Sequence, residues 1–244
     1  MLRHETETGA GTGRASSRAE LYHFHGCGAA FPWAMGYACF VRERCGPLDR
    51  VEFSGVSSGA LAAVALALGL DLMRAVRLAV ELQNQLCIRP SGLFGGWADL
   101  LVVYYERLLP AGPAVARLSN LHVGLTGLDG RLAYVSEFSG KRDLIEVLLA
   151  SQHLPFFVDL RPWAFYRGRR YLDTWWRRAA PPVGFRSCHE VALPTLGGLS
   201  RESIKPWERL TRKTIARAQH MHWLGYLAAG QALAPAPEMG PEAS

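Results

Sequence analysis

Five consecutive residues carry the clearest chemical signal in the chain: Gly55-Val56-Ser57-Ser58-Gly59. A Gly-x-Ser-x-Gly run sets a serine on a tight strand-to-helix turn with a strained backbone, so that its hydroxyl stands above the sheet edge as a nucleophile. A side chain at either flanking position, Gly55 or Gly59, would collide with the neighbouring strand or helix. The helix that follows aims its free N–H groups at Ser57, where they favour a developing negative charge. By composition alone such a run falls in about one of seven chains of this kind, so its setting matters. Val51-Glu52-Phe53 before it reads as a strand, and Ala60 to Leu68 after it as a strong helix former.

Acyl transfer from an ester to a serine also needs donors for the oxyanion of the tetrahedral intermediate. His25-Gly26-Cys27-Gly28-Ala29-Ala30 lies about 30 residues upstream, after one strand candidate and before a helix. Its small residues let backbone N–H groups approach a substrate oxygen. Gly26, Cys27 and Gly28, with Ser58 at the elbow, are the expected donors. A dinucleotide-binding reading of the loop fails, because Phe31 stands where the third glycine belongs.

The serine needs a base. His189, His220 and His222 all follow Ser57, so chain order permits a Ser-acid-His triad with His189 or His220 as base. Only two strand candidates precede Ser57, however, and a triad hydrolase sets its elbow after several. The alternative is a Ser–Asp dyad, in which a carboxylate takes the proton directly.

The elements that must position these groups alternate between strand and helix, which predicts an α/β sheet with helices on both faces. Strands are expected at 21–24, 51–53, 121–126, 131–136, 166–172 and 191–193. Helices are expected at 31–43, 60–68, 72–86, 97–109, 141–151 and 206–233. Leu72, Met73, Val76, Ala79, Leu82 and Leu86 repeat at helical spacing, and Asp129-Gly130 marks a hairpin turn. Residues 1–19 and 234–244 read as disordered tails around one domain, 20–233. Apolar residues make up 49% and charged residues 20% of the chain, an ordinary globular balance. The net charge of +6 suits an anionic partner, a phospholipid surface or nucleic acid. Cys27, Cys39, Cys45, Cys87 and Cys188 follow no metal-binding spacing and read as free thiols of a reducing compartment. No secretory leader and no membrane-spanning run is visible, so a cytoplasmic protein that lies on membrane rather than through it is expected.

The motifs, taken in order, resemble the patatin-like phospholipase family, and its animal adipose-lipase and adiponutrin branch most. The glycine loop reads Gly-Cys-Gly as in that branch, and the serine elbow follows soon after. The family's base is an aspartate in Asp-Gly-Gly or Asp-Gly-Ala with a proline eight residues on. Here Asp173 ends Tyr171-Leu172-Asp173, and Pro181 stands at that distance. Ala150-Ser151 with Pro155 is similar to the family's Ala-Ser…Pro segment. Leu193-Pro194 with Gly197-Gly198 and Ile204-Lys205-Pro206, then Gly225-Tyr226, resemble the branch's later landmarks. The likeness spans about residues 21–233. Thr174-Trp175 departs from the family's glycines, and Ala179 from its asparagine.

The resemblance implies a three-layer α/β/α fold with a mostly parallel sheet flanked by helices. It implies a lipid acyl-ester hydrolase in which Ser57 attacks and Asp173 accepts the proton, with no metal and no cofactor. Its substrate would be a phospholipid or acylglycerol, met at a membrane or lipid-droplet surface, with no nucleic-acid partner. Aromatics at Phe156, Phe157, Trp163, Trp175 and Trp176 mixed with arginines suit such an interface, and the same mixture suits stacking on single-stranded nucleic acid; ordinary core packing competes for most of them and is the expectation for Phe156 and Phe157. Three other readings stay open: the triad esterase, a lipid-binding protein impaired in catalysis, and transfer of the acyl group to an alcohol rather than water. Asp173 itself has a competing reading as an ion-paired carboxylate among Arg167, Arg169, Arg170, Arg177 and Arg178.

Overall fold

The computed structural model describes residues 19–44, 48–86, 95–174, 176, 178–193 and 215–233. The expected tails lie outside these apart from Ala19, as do Cys45, Cys87, Trp175, Arg177 and the motif residues at 194–206.

Among the described residues seven strands form one mixed sheet: β1 (Glu20–Phe24), β2 (Val51–Val56), β3 (Leu121–Gly127), β4 (Leu132–Val135), β5 (Ala164–Tyr166), β6 (Arg169–Leu172) and β7 (Ser187–Val191). The order is β5-β6-β3-β2-β1-β7, with β4 also on β3. Helices flank it: α1 (Phe31–Arg44), α2 (Gly59–Ala67), α3 (Leu72–Leu86), α4 (Trp97–Leu108), α5 (Lys141–Ser151) and α6 (Ile215–Ala232). The α/β expectation holds. β7, β1, β2 and β3 are mutually parallel, while β4, β5 and β6 pair antiparallel. The antiparallel part follows from short connections, since a tight turn joins only antiparallel neighbours.

The central strands are short apolar runs buried at nearly every position, as strands covered by helices are. Leu21, Phe24, Phe53, Leu121 and Val123 are fully enclosed there. α2 packs on β1, β2 and β3, and α5 on β3 and β5. α3 runs over the expected residues because its apolar stripe holds one face in the core. α1 and α6 cross so closely that a Cβ on Gly225 would lie 1.9 Å from the Trp33 carbonyl oxygen.

Two expectations change. The single strand read at 166–172 is a hairpin, broken at Arg167 (φ 45°) and Gly168 (φ 75°), a two-residue turn with both centres left-handed. The last strand is Ser187–Val191 rather than 191–193, because its alternating polar residues hid it from an apolar-run reading.

The register around β3 sets up the site. Gly124 pairs with Val56 on one edge and with Tyr134 on the other. Thr126 pairs with Leu132 of β4 and, on its opposite edge, with Leu172 of β6. β2 and β6 therefore lie end to end along one edge of β3, running towards each other. The residues just past their ends, Ser57 and Asp173, meet at the level of Leu125.

Candidate active site

Ser57 has φ 53°, a left-handed conformation that a residue with a side chain adopts only where its surroundings enforce it. Two hydrogen bonds and the close packing of both flanking glycines do so. The Ser57 N–H donates to Ser151 Oγ (2.9 Å), and Ser151 Oγ in turn donates to the Gly124 carbonyl oxygen (2.7 Å). A Cβ on Gly55 would fall 2.6 Å from the Gly59 carbonyl oxygen, and one on Gly59 would fall 2.3 Å from that of Phe24. Both elbow positions therefore require glycine, as the sequence pattern implied.

Ser57 Oγ donates to Asp173 Oδ2 at 2.6 Å. Both side chains are buried, at 7% and 5% exposure, so this charge-assisted bond forms largely out of water. The backbone N–H of Asp173 donates to the His153 carbonyl oxygen (2.9 Å), which holds the strand end in place. Thr174 is buried beside it without displacing the carboxylate from the serine. Three of the five arginines read as ion-pair partners for Asp173 have other partners among the described residues. Arg167 pairs with Asp143 (2.7 Å), Arg170 lies over the Trp163 ring (4.6 Å), and Arg178 pairs with Glu190 (3.3 Å).

The glycine loop leaves β1 beside the elbow. A Cβ on Gly26 would stand 3.1 Å from that of Ser57. The Cys27 N–H donates to Ser58 Oγ (2.9 Å), so the Ser58 side chain, not only its backbone, ties loop to elbow. Gly28 and Ala29 line a cleft together with Ser57, Ser58 and Asp173. Its other walls are mainly apolar, with Phe31, Trp97, Leu154 and Phe157. The site thus joins a serine bonded to a buried carboxylate, a loop of small residues, and a cleft suited to an acyl chain.

The histidines stand apart from this pair. His189 stacks on Tyr22 (4.6 Å between ring centres) at the level of Phe53, four residues and about 13 Å below Ser57 along the strands. His220 is exposed on α6. Under the glycine loop, His23 Nδ1 lies 2.8 Å from Ser54 Oγ, and His25 Nε2 lies 2.9 Å from Glu190. Burial holds His23 neutral, its pKa down to about 3, with the neighbouring His25 pushing the same way. Burial also lowers that of His25, against the hydrogen bond from Glu190.

Among the described residues no three His, Cys, Asp or Glu side chains gather as a metal site, and no helix is long and apolar enough to cross a membrane. Sequence reasoning noted Ser151 only as part of a motif and gave it no role. It likewise noted Gln152 only within that motif, and missed Gln83; both line the cleft. The one signal for Gln83 was a glutamine on the apolar stripe of α3.

No protein-family profile matches the chain. Several curated patatin-like proteins do, at about 30% identity and over part of its length. An omega-hydroxyceramide transacylase of Homo sapiens is 32% identical over 126 residues, 50% of this chain and 24% of that protein. A 1-acylglycerol-3-phosphate O-acyltransferase of Mus musculus is 31% identical over 156 residues, 62% of this chain and 38% of that protein. Patatin-like phospholipase domain-containing protein 4 of Homo sapiens is 37% identical over 82 residues, 32% of each. The chain spans roughly a quarter to two-fifths of the length of these relatives.

Proposed function

We propose that this chain, similar over part of its length to patatin-like phospholipase domain proteins, is a lipid acyl-ester enzyme that works through a Ser57–Asp173 dyad. The carrying observation is the 2.6 Å hydrogen bond from Ser57 Oγ to Asp173 Oδ2 at the wall of an apolar cleft.

On this reading Ser57 Oγ attacks the ester carbonyl carbon and its proton passes to Asp173 Oδ2. The negative charge on the carbonyl oxygen is held by N–H groups of the glycine loop (Gly26, Cys27, Gly28) and of Ser58, with the N-terminus of α2 adding its dipole. Gly28 is best placed of the loop donors, since it lines the cleft, whereas the Cys27 N–H is bonded to Ser58 Oγ in the free enzyme. Collapse of the intermediate breaks the ester C–O bond. The departing alcohol takes the proton from Asp173 and the acyl group stays on Ser57. Water, or a second alcohol, then attacks the acyl-enzyme, gives its proton to Asp173, and releases Ser57 with a fatty acid or a new ester. The transacylase and acyltransferase among the relatives support keeping alcohol beside water as acceptor. No metal or cofactor takes part in this scheme.

The substrate on this reading is a phospholipid or acylglycerol met at a lipid surface. Phe156, Leu160 and Phe165 are more than half exposed, and Arg161, Arg169 and Arg170 stand exposed in the same stretch. Phe157, next to Phe156, lines the cleft, which would open towards that surface.

Labelling with a fluorophosphonate serine probe tests the proposal. Wild type should label, and Ser57→Ala and Asp173→Asn should not. A wild type that binds lipid but does not label would replace the enzyme by a lipid-binding protein.

A further inference from the structure

Two glutamines in the cleft have no part in this acyl-transfer scheme. Gln83 stands on the inward stripe of α3 with Leu72, Val76 and Val80, and Gln152 follows the elbow anchor Ser151. They are 4% and 8% exposed, and both line the cleft. An amide buried in an apolar wall costs free energy unless its polar atoms are used.

Gln152 uses half of its capacity within the protein. Its Nε2 donates to the Tyr105 hydroxyl oxygen and to the Leu148 carbonyl oxygen (3.2 Å). A carbonyl oxygen only accepts, so the amide has one orientation, with Nε2 towards Leu148 and Oε1 turned away. Among the described residues no group donates to Oε1. Nor is Oε1 one of the unpartnered atoms sealed from solvent. It is a hydrogen-bond acceptor that reaches solvent, on a residue of the cleft wall.

We propose that Gln152 Oε1 receives the hydroxyl of an alcohol bound beside Ser57, so that the enzyme selects lipid esters or acyl acceptors bearing a free O–H. The proposal rests on the Ser57 acyl-enzyme reading above. A neutral amide oxygen suits an uncharged donor, and acyl chains and ester groups carry none. A fully acylated glycerol backbone would leave Oε1 unpaired and dry, which a polar site rejects. A partial acylglycerol or lysolipid supplies the hydroxyl itself. So does an alcohol that arrives to take the acyl group.

Three assays on wild type and Gln152→Leu separate these sources. The first compares glyceryl monobutyrate with propyl butyrate, which differ only in their hydroxyls. The second supplies p-nitrophenyl butyrate with glycerol and measures new ester against free acid. The third is fluorophosphonate labelling, which reports an assembled Ser57. A hydroxyl on the ester makes wild type prefer the glyceryl ester by about tenfold, one well-placed hydrogen bond. A hydroxyl on the acceptor makes glycerol compete with water for the acyl group. Either preference should fall to near unity in Gln152→Leu, whereas a purely structural role would slow both substrates alike and keep the ratio. A wild type with neither preference overturns the proposal, and so does a preference that survives in Gln152→Leu. Should Gln152→Leu fail to label, Gln152→Met, of similar length, replaces it, and the wild-type ratios still decide. A wild type that labels but shows no hydroxyl preference sinks this inference alone; one that does not label sinks the Ser57 reading with it.

Discussion

Ser57 and Asp173 are 116 residues apart in the chain and 2.6 Å apart in the fold, because β2 and β6 stop short of each other on the same edge of β3. Neither strand alone makes a site. The parallel strand brings the elbow up to Leu125, and the antiparallel one brings the carboxylate down to the same level.

On the proposed reading Asp173 is the base and histidine has no part in the reaction. Asp173→Asn keeps the shape and the hydrogen bond but cannot take a proton. It should lower kcat on p-nitrophenyl butyrate by about 10²–10⁴-fold. His189→Ala and His220→Ala should stay within about threefold of wild type, since neither side chain touches the reacting atoms. A loss in His189→Ala as large as that in Asp173→Asn would revive the triad.

The elbow's strain needs its anchor. Ser151 is 2% exposed and bridges the Ser57 N–H to the Gly124 carbonyl. Ser151→Ala strips both partners inside the core and should cost about 1–3 kcal/mol of stability in urea unfolding. It should also slow fluorophosphonate labelling while leaving Ser57 and Asp173 in place. Unchanged stability and labelling would mean that the turn holds itself.

Much of this was legible in the chain. The elbow glycines, the α3 stripe and the Asp129-Gly130 hairpin are local patterns, and local patterns survive in sequence. Asp173 came from a motif order rather than from its neighbours, which offered an arginine-paired surface as the competing reading. Ser57 reaches it from the end of another strand on the same edge of β3, and no spacing in the chain reports that. The Arg167-Gly168 turn was hidden because apolar and aromatic residues continue on both sides of it. Ser151, Gln83 and Gln152 stand out only through what the fold sets against them: a strained N–H, or a cleft.

The crossing of α1 and α6 depends on a missing side chain on each helix, Gly36 and Gly225. A Cβ at Gly225 would meet the Trp33 backbone oxygen at 1.9 Å, and backbone cannot step aside as a flexible side chain can. Gly225→Ala should force the helices apart at about 1–3 kcal/mol or more, read as a fall in Tm. A Tm equal to wild type would show that α6 shifts along α1 freely.

Acid should weaken the fold before its carboxylates titrate. Burial lowers the pKa of His23 from 6.5 to about 3, so the unfolded chain binds a proton there that the native protein refuses. Its contribution is complete above pH 6.5 and is lost as pH falls towards 3. The slope is about 1.4 kcal/mol per pH unit, or about 2 kcal/mol between pH 6.5 and 5. Burial lowers His25, His153 and His222 in the same sense, so wild type should lose stability over that window. His23→Gln removes one of these protons and should flatten the urea midpoint against pH by that share. Parallel curves for the two proteins would place the acid sensitivity elsewhere.

On the proposed reading, the exposed loop beside the cleft is what meets lipid. Phe156 and Leu160 are each 58% exposed, and both have a left-handed backbone, φ 60° and 63°. Large apolar residues held out in a strained conformation next to a cleft wall have no packing reason to be there. Aspartate tolerates that backbone better than either of them, so Phe156→Asp with Leu160→Asp tests the surface without adding strain. Burying two such side chains is worth several times RT, and the pair should lower binding to vesicles by at least about tenfold. Because Arg161, Arg169 and Arg170 stand exposed in the same stretch, binding by wild type should rise when phosphatidylserine is added to phosphatidylcholine vesicles and fall with salt. Flotation of both proteins with vesicles of the two compositions measures this. Equal flotation of wild type and the double variant would move the lipid-facing surface away from this loop.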